Sequence, residues 1–183
     1  MSEFPIRAFR AGRLRVQVYA HRREMGAAAA HDAANHMGRL LGVQARVSVV
    51  FASAPSQNEL LENLVSATVE WRRVVAFHMD EYVALPPDAP QRFGSYLHEA
   101  LFRHVPLQQV HYLNGNAPDL QAECNRYADL LRDSHVDIVC LGIGENGHIA
   151  FNDPGVADFK DPRLVNLVDL DERSRHQQVH DGC

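Results

Sequence analysis

Short apolar runs alternate with segments of helical spacing along most of this chain. Residues 13–19 alternate apolar and polar positions, which predicts a strand at a sheet edge. Residues 45–52 (Ala-Arg-Val-Ser-Val-Val-Phe-Ala), 74–77, 110–113, 136–141 and 164–170 also read as strands. The alanine-rich stretch Arg22–Leu41 reads as a helix, as do residues 57–71, 96–104 and 120–132. Strand and helix signals in alternation predict a layered α/β domain, with a mainly parallel sheet flanked by helices. No repeat, low-complexity tract or linker interrupts residues 1–183, so a single domain is expected. The sequence stops at Asp181-Gly182-Cys183, a turn signal, soon after the last expected strand. An open α/β sheet would continue into another helix and strand, so the chain reads as truncated at its C-terminus.

Composition narrows the class without naming a function. Hydrophobic residues make up 46% and charged residues 22%, ordinary values for a globular protein. A net charge of −5 argues against a nucleic-acid surface, although a small anionic ligand would sample only the local field. Cys124, Cys140 and Cys183 are odd in number and form no C-x-x-C pair, which suits a reducing compartment. Neither a signal peptide nor an apolar run of membrane-spanning length is evident, so a cytoplasmic location is expected.

Ligands of open α/β sheets bind beyond the carboxyl ends of the strands. Three expected strand ends carry polar residues. The first, 52–59, reads Ala-Ser-Ala-Pro-Ser-Gln-Asn-Glu. Ser56 with Glu59 three residues on is a capping box, and the same hydroxyl and free N–H groups could hold a phosphate. The second, Phe77-His78-Met79-Asp80-Glu81-Tyr82-Val83, puts Asp80 directly after an apolar strand. A partly desolvated carboxylate there can act as a base on a carbon acid, whereas a solvated turn is the plain alternative. His78-x-Asp80 lacks a third ligand at useful spacing, so no metal is expected.

The third strand end is Leu141-Gly142-Ile143-Gly144-Glu145-Asn146-Gly147-His148-Ile149-Ala150-Phe151-Asn152-Asp153. Its glycines let backbone approach a ligand, and His148 lies between an amide and a carboxylate, equipment for moving protons near neutral pH. A core histidine satisfied by backbone is the competing reading. Gly142-x-Gly144-x-x-Gly147 also matches a dinucleotide fingerprint. That fingerprint needs a helix to follow directly, and Pro154-Gly155 arrives too soon. The nucleotide reading fails, and no cofactor is expected.

Together with Leu113-Asn114-Gly115-Asn116-Ala117-Pro118, the second and third motifs resemble the glucosamine-6-phosphate deaminase (isomerase) family in order and spacing over roughly residues 45–155. The resemblance implies a Rossmann-like fold and conversion of an amino-sugar 6-phosphate to a ketose phosphate and ammonia. It assigns proton shuttling between C2 and C1 to Asp80, ring opening to His148, and tuning of that histidine to Asp153, with Asn146 in the same set. It implies substrate contacts for Ser53, Ser56, Gln57, Glu81, Gly144, Gly147 and Arg175. The partner it implies is a small sugar phosphate, with no nucleic acid or membrane; a homo-oligomer is compatible with it.

The sister 6-phosphogluconolactonases carry Asp-Glu-Arg where this chain has Asp80-Glu81-Tyr82. They carry Ser-Leu-Phe-Pro where it has Phe151-Asn152-Asp153-Pro154. A lactone hydrolase is therefore the first alternative and a non-catalytic sugar-phosphate sensor the second. Against the deaminase pattern, Asn146 stands where many relatives have Asp, and Asp153 where Glu is usual. Residues 53–57 replace a glycine- and threonine-rich phosphate loop. An expected phosphate-binding arginine falls at His180, with Arg175 nearby, and a family lysine would lie beyond Cys183.

Overall fold

The structure, a computed structural model, describes residues 5–181. Four short strands form one parallel sheet: β3 (Val47–Phe51), β4 (Val74–His78), β5 (Gln109–His111) and β6 (Ile138–Cys140), in the order β5-β4-β3-β6. From β3 the chain builds outward to β4 and β5, then returns to β6 on the other side of β3. That reversal opens a crevice at the carboxyl ends of β3, β4 and β6.

Alternation along the two central strands separates two apolar layers. Val47, Val49 and Phe51 of β3, with Val74 and Ala76 of β4, face α1 (Arg22–Leu41), α2 (Asn58–Val65) and α3 (Phe93–Leu97). Val75 and Phe77 face the other way, onto Tyr127 of α4 (Leu120–Ser134). All five residues of β4 are buried, which explains why it reads as a continuous apolar run. The close approach of α1 to α2 requires Gly26, since a Cβ there would lie 2.4 Å from Cβ of Glu59. Among the described residues no helix is long and apolar enough to cross a membrane.

Several expected elements are corrected. The N-terminal strand is one arm of a separate antiparallel hairpin, β1 (Arg7–Ala11) with β2 (Leu14–Val18), not an edge of the main sheet. The helix expected over 57–71 ends at Val65, and Trp71 sits in a short 3₁₀ turn before β4. That expected over 96–104 starts earlier, at Phe93, and passes into a π-helical turn, His98–Phe102. Residues 164–170 form no strand. They cross the α4 face of the sheet, where Val165 packs on the Val75–Phe77–Tyr127 cluster, so their apolar positions are met by packing and their backbone by no partner strand. A final helix, α5 (Glu172–Asp181), follows, although its sequence shows little apolar periodicity.

Candidate active site

Beyond β3, β6 and β4 lies an open cleft, lined among others by Ser53, Ser56, Asp80, Gly144, His148 and Phe151. All three strand ends singled out in the sequence thus meet in one place.

After β3, Pro55 opens a 3₁₀ turn, Pro55–Gln57, ahead of α2. Ser56 therefore lies inside the turn, and no side chain caps either helix start; the expected capping box is absent. Pro55 shifts the turn's start, and Glu59 is committed elsewhere. Arg22 donates to both Glu59 oxygens, at 2.6 and 2.9 Å, and to the carbonyl of Pro55 at 2.6 Å. The ion pair offsets the negative charge at the mouth of α2. Ser53 is buried and donates to the carbonyl of Phe93 at 3.3 Å, Gln57 donates to Ser56 Oγ at 3.1 Å, and Ser56 borders the cleft.

After β4, the two adjacent carboxylates go separate ways. Glu81 is turned into the fold and accepts hydrogen bonds from the backbone N–H groups of Tyr82, Phe93 and Gly94, at 3.0 to 3.1 Å, with Arg92 Nε 3.7 Å away. It fixes the chain to the start of α3 instead of facing the cleft. Asp80 lines the cleft, and among the described residues no hydrogen-bond donor reaches its carboxylate. Burial, reinforced by the charge of Glu81, pushes its pKa up to about 7. His78, wholly buried, accepts from the N–H of Leu113 at its Nδ1 and leaves Nε2 without a partner, 3.8 Å from Glu81. Burial and the charge of Arg92 lower its pKa to about 3, so it stays neutral. The Leu113–Pro118 motif braces the same turn: Gly115 lies so close to Tyr82 that a Cβ would be 2.0 Å from its carbonyl oxygen.

After β6, the glycine-rich loop folds back on itself through Gly144 N–H to His148 O and Gly147 N–H to Gly144 O, both 2.9 Å, with Gly147 at φ +86°. The imidazole of His148 lies flat against Gly144, where a Cβ would come within 2.2 to 2.6 Å of the ring. Its Nδ1 is 2.7 Å from Asn146 Oδ1 and 3.2 Å from Asp153 Oδ1. Asn146 also accepts from the N–H of His148, which fixes its amide orientation, and its Nδ2 donates to Asp153, Asp171 and Ser174. Burial alone would raise the Asp153 carboxyl, but bonds from Ser174, Asn146 and the Asp171 N–H, with the nearby imidazole, hold it below the usual carboxylate range. No helix begins between residues 141 and 171, which agrees with rejecting the dinucleotide fingerprint.

The cleft therefore brings together Asp80, His148, Ser53, Ser56 and Gly144. Asn146 and Asp153 stand behind His148, Gln57 behind Ser56, and Gly147 shapes the loop. Arg175 is exposed on α5 and does not line the cleft. The side chain of His180 and Cys183 lie outside the described residues. Asp171 and Ser174 were not anticipated; Asp171, an acidic residue just ahead of a helix start, was the available sign. Among the described residues no group of three or more His, Cys, Asp or Glu could hold a metal ion.

Fold and cleft together define a class: a helix-flanked parallel sheet with a cleft, lined by a carboxyl and an imidazole, at the carboxyl ends of its strands. The chain belongs to the glucosamine-6-phosphate isomerase/6-phosphogluconolactonase family, whose profile matches residues 20–177. It is similar to a glucosamine-6-phosphate deaminase of Exiguobacterium sp., with 51% identity over 103 residues, 56% of this chain and 39% of that enzyme. Among solved structures it resembles a monomeric glucosamine-6-phosphate deaminase, with TM-score 0.75, 28% identity and coverage of 86% of this chain and 65% of that one. It also resembles a 6-phosphogluconolactonase of Thermotoga maritima, with TM-score 0.60, 27% identity, and coverage of 66% and 56%. The matched region is thus about two fifths of the Exiguobacterium enzyme's length.

Proposed function

We propose that this chain carries the proton-transfer half of a glucosamine-6-phosphate deaminase, within one domain. The reaction takes glucosamine 6-phosphate and water to fructose 6-phosphate and ammonia. The observation that carries the reading is the pairing, in one cleft, of a carboxyl poised near neutrality, Asp80, with a histidine held by one ring nitrogen, His148.

Each step draws on one of them. His148 relays the proton of the anomeric hydroxyl to the ring oxygen, opening the sugar to its aldehyde. Asp80, ionised, takes the proton from C2, and the electron pair moves toward the carbonyl oxygen to give an enolic species. Returning the proton to C1 leaves an imine at C2, which water hydrolyses with release of ammonia. A base with pKa about 7 is half ionised at neutral pH and much stronger than an ordinary carboxylate, which favours both directions of the shuttle. Ser53 and Ser56 are offered as contacts to the sugar phosphate. A place in amino-sugar metabolism and a cytoplasmic location go with this reading, the latter supported by the unpaired cysteine pattern.

The test is direct. The protein is incubated with glucosamine 6-phosphate while ammonia and fructose 6-phosphate are followed, and in parallel with 6-phosphogluconolactone. Formation of both products is expected. Lactone hydrolysis without either product would transfer the chain to the sister activity.

A further inference from the structure

Ser174 is buried at 1% exposure on α5, a helix that the sequence pattern did not announce, and nothing in the resemblance assigns it a role. Its surroundings are unusually complete. Ser174 Oγ lies 2.5 Å from Asp153 Oδ1, 3.1 Å from His148 Nδ1 and 3.2 Å from Asn146 Nδ2. A hydroxyl has one proton to give and two lone pairs. Asp153, held ionised, can only accept, so the hydroxyl proton is committed to it. The amide of Asn146, whose two hydrogens are shared among Asp153, Asp171 and Ser174, faces the hydroxyl as a donor. What remains toward His148 is an acceptor.

The other neighbours of Nδ1 are acceptors as well: Asn146 Oδ1 at 2.7 Å and Asp153 Oδ1 at 3.2 Å. Three acceptors converging on one ring nitrogen require that nitrogen to carry the hydrogen. Nε2 then bears the lone pair in neutral His148 and is the nitrogen left for a ligand. The start of α5 is tied to the loop by two further bonds, Asp171 N–H to Asp153 Oδ2 at 2.9 Å and Asn146 Nδ2 to Asp171 Oδ2 at 3.0 Å. Asp171 in turn accepts from the N–H of Ser174 at 2.7 Å, which orients the serine.

We propose that Ser174 is a positioning residue for His148: it completes a ring of acceptors around Nδ1 and thereby fixes the tautomer and orientation with which His148 meets substrate. The expected consequence for catalysis rests on the deaminase reading above; the tautomer itself does not.

The test uses nitrogen-15 NMR of the histidine side chains in the ligand-free protein, alongside steady-state kinetics with glucosamine 6-phosphate. In the unmodified protein His148 should show protonated Nδ1 and unprotonated Nε2. Ser174→Ala should convert this to a mixture of tautomers and lower kcat about tenfold with KM nearly unchanged, the size expected for losing one buried hydrogen bond in the transition state. Ser174→Thr, which keeps the hydroxyl, should restore both. A His148 protonated on Nε2 in the unmodified protein overturns the proposal, whether or not either variant folds. An unaltered tautomer and kcat in a folded Ser174→Ala overturn it too. If the protein lacks deaminase activity altogether, the spectra still decide the role of Ser174, so the two readings fail separately.

Discussion

Two aspartates, one lining the cleft and one behind it, sit in opposite conditions. Asp153, behind the β6 loop, is buried at 1% exposure yet receives bonds from a hydroxyl, an amide and a backbone N–H. Asp80, at the end of β4, is partly buried and receives none among the described residues. One carboxyl is held below its ordinary pKa and the other raised to about 7. The histidines divide the same way: acceptors surround Nδ1 of His148, while Nε2 of His78 has no partner. A saturated carboxylate fixes its neighbour in place, and an unsaturated one keeps its proton affinity available for a substrate. Residue type alone would have made the two aspartates equivalent.

The sharpest way to break this contrast is to neutralise each carboxylate in turn. If Asp80 is the base as proposed, Asp80→Asn should lower kcat by ~10³-fold and stop exchange of the C2 proton with solvent. Deuterium uptake at C2, followed by proton NMR, measures this, and persistent exchange would take the shuttle away from Asp80. Asp153→Asn should cost less in rate, since the amide can still accept one bond, but more in thermal stability.

Sterics give the next largest effect. Gly144→Ala places a methyl group 2.2 to 2.6 Å from the imidazole, so His148 must leave its position. A loss of about 10²-fold in kcat is expected. Gly147→Ala provides the control: its added Cβ meets open space, and only the positive φ is strained. That variant should lose about 1 kcal/mol of stability with a smaller loss of activity.

Charge at position 146 tests the saturated side more finely. Asn146→Asp replaces a donor to three groups by an acceptor and sets three carboxylates together with Asp153 and Asp171. One of them must bind a proton, and roughly a tenfold loss in kcat near pH 8 is expected, recovering at lower pH. Adding Asp171→Asn restores a donor and should return most of the loss; a double-mutant cycle reads the coupling.

How far the sequence could have led follows from the kinds of interaction involved. β3 and β4 declare themselves because burial on both faces demands apolar residues at most positions, Ser48 and His78 excepted, and Asp80 is conspicuous just past such a run. The His148 loop is legible because glycines and polar residues crowd a strand end. Residues 164–170 misled because an apolar segment packed across a sheet face has the same composition as one paired within it. Ser174 and Asp171 left little trace: α5 docks through hydrogen bonds, which produce no periodicity. Glu81 beside Asp80 was ambiguous for a different reason, since only the backbone N–H groups of Phe93 and Gly94, remote in sequence, decide which carboxylate turns inward.

The smallest effect concerns stability, where the unpaired groups of β4 act against each other. Asp80 has a folded pKa near 7 against 3.8 for the free carboxyl. Its contribution to stability is full below about pH 4 and is lost as pH rises through 7, because the native state binds the proton more tightly than the unfolded state. His78, lowered from 6.5 to about 3, has the reverse effect: its contribution is present above 6.5 and is lost as pH falls toward 3, because the unfolded chain takes up a proton that the native state refuses. Between pH 4 and 6.5 the two slopes oppose, and the stability of the unmodified protein should be nearly flat. Asp80→Asn removes one of them. At pH 8 the variant should be more stable by about 1–2 kcal/mol, after allowance for the partial exposure of Asp80, which corresponds to a few degrees in Tm for a chain of this size. On acidification from pH 6.5 the same variant should lose stability where the parent does not. Thermal unfolding at pH 5, 6.5 and 8 checks all three points, and a variant curve parallel to the parent's would mean that Asp80 is not held protonated by the fold.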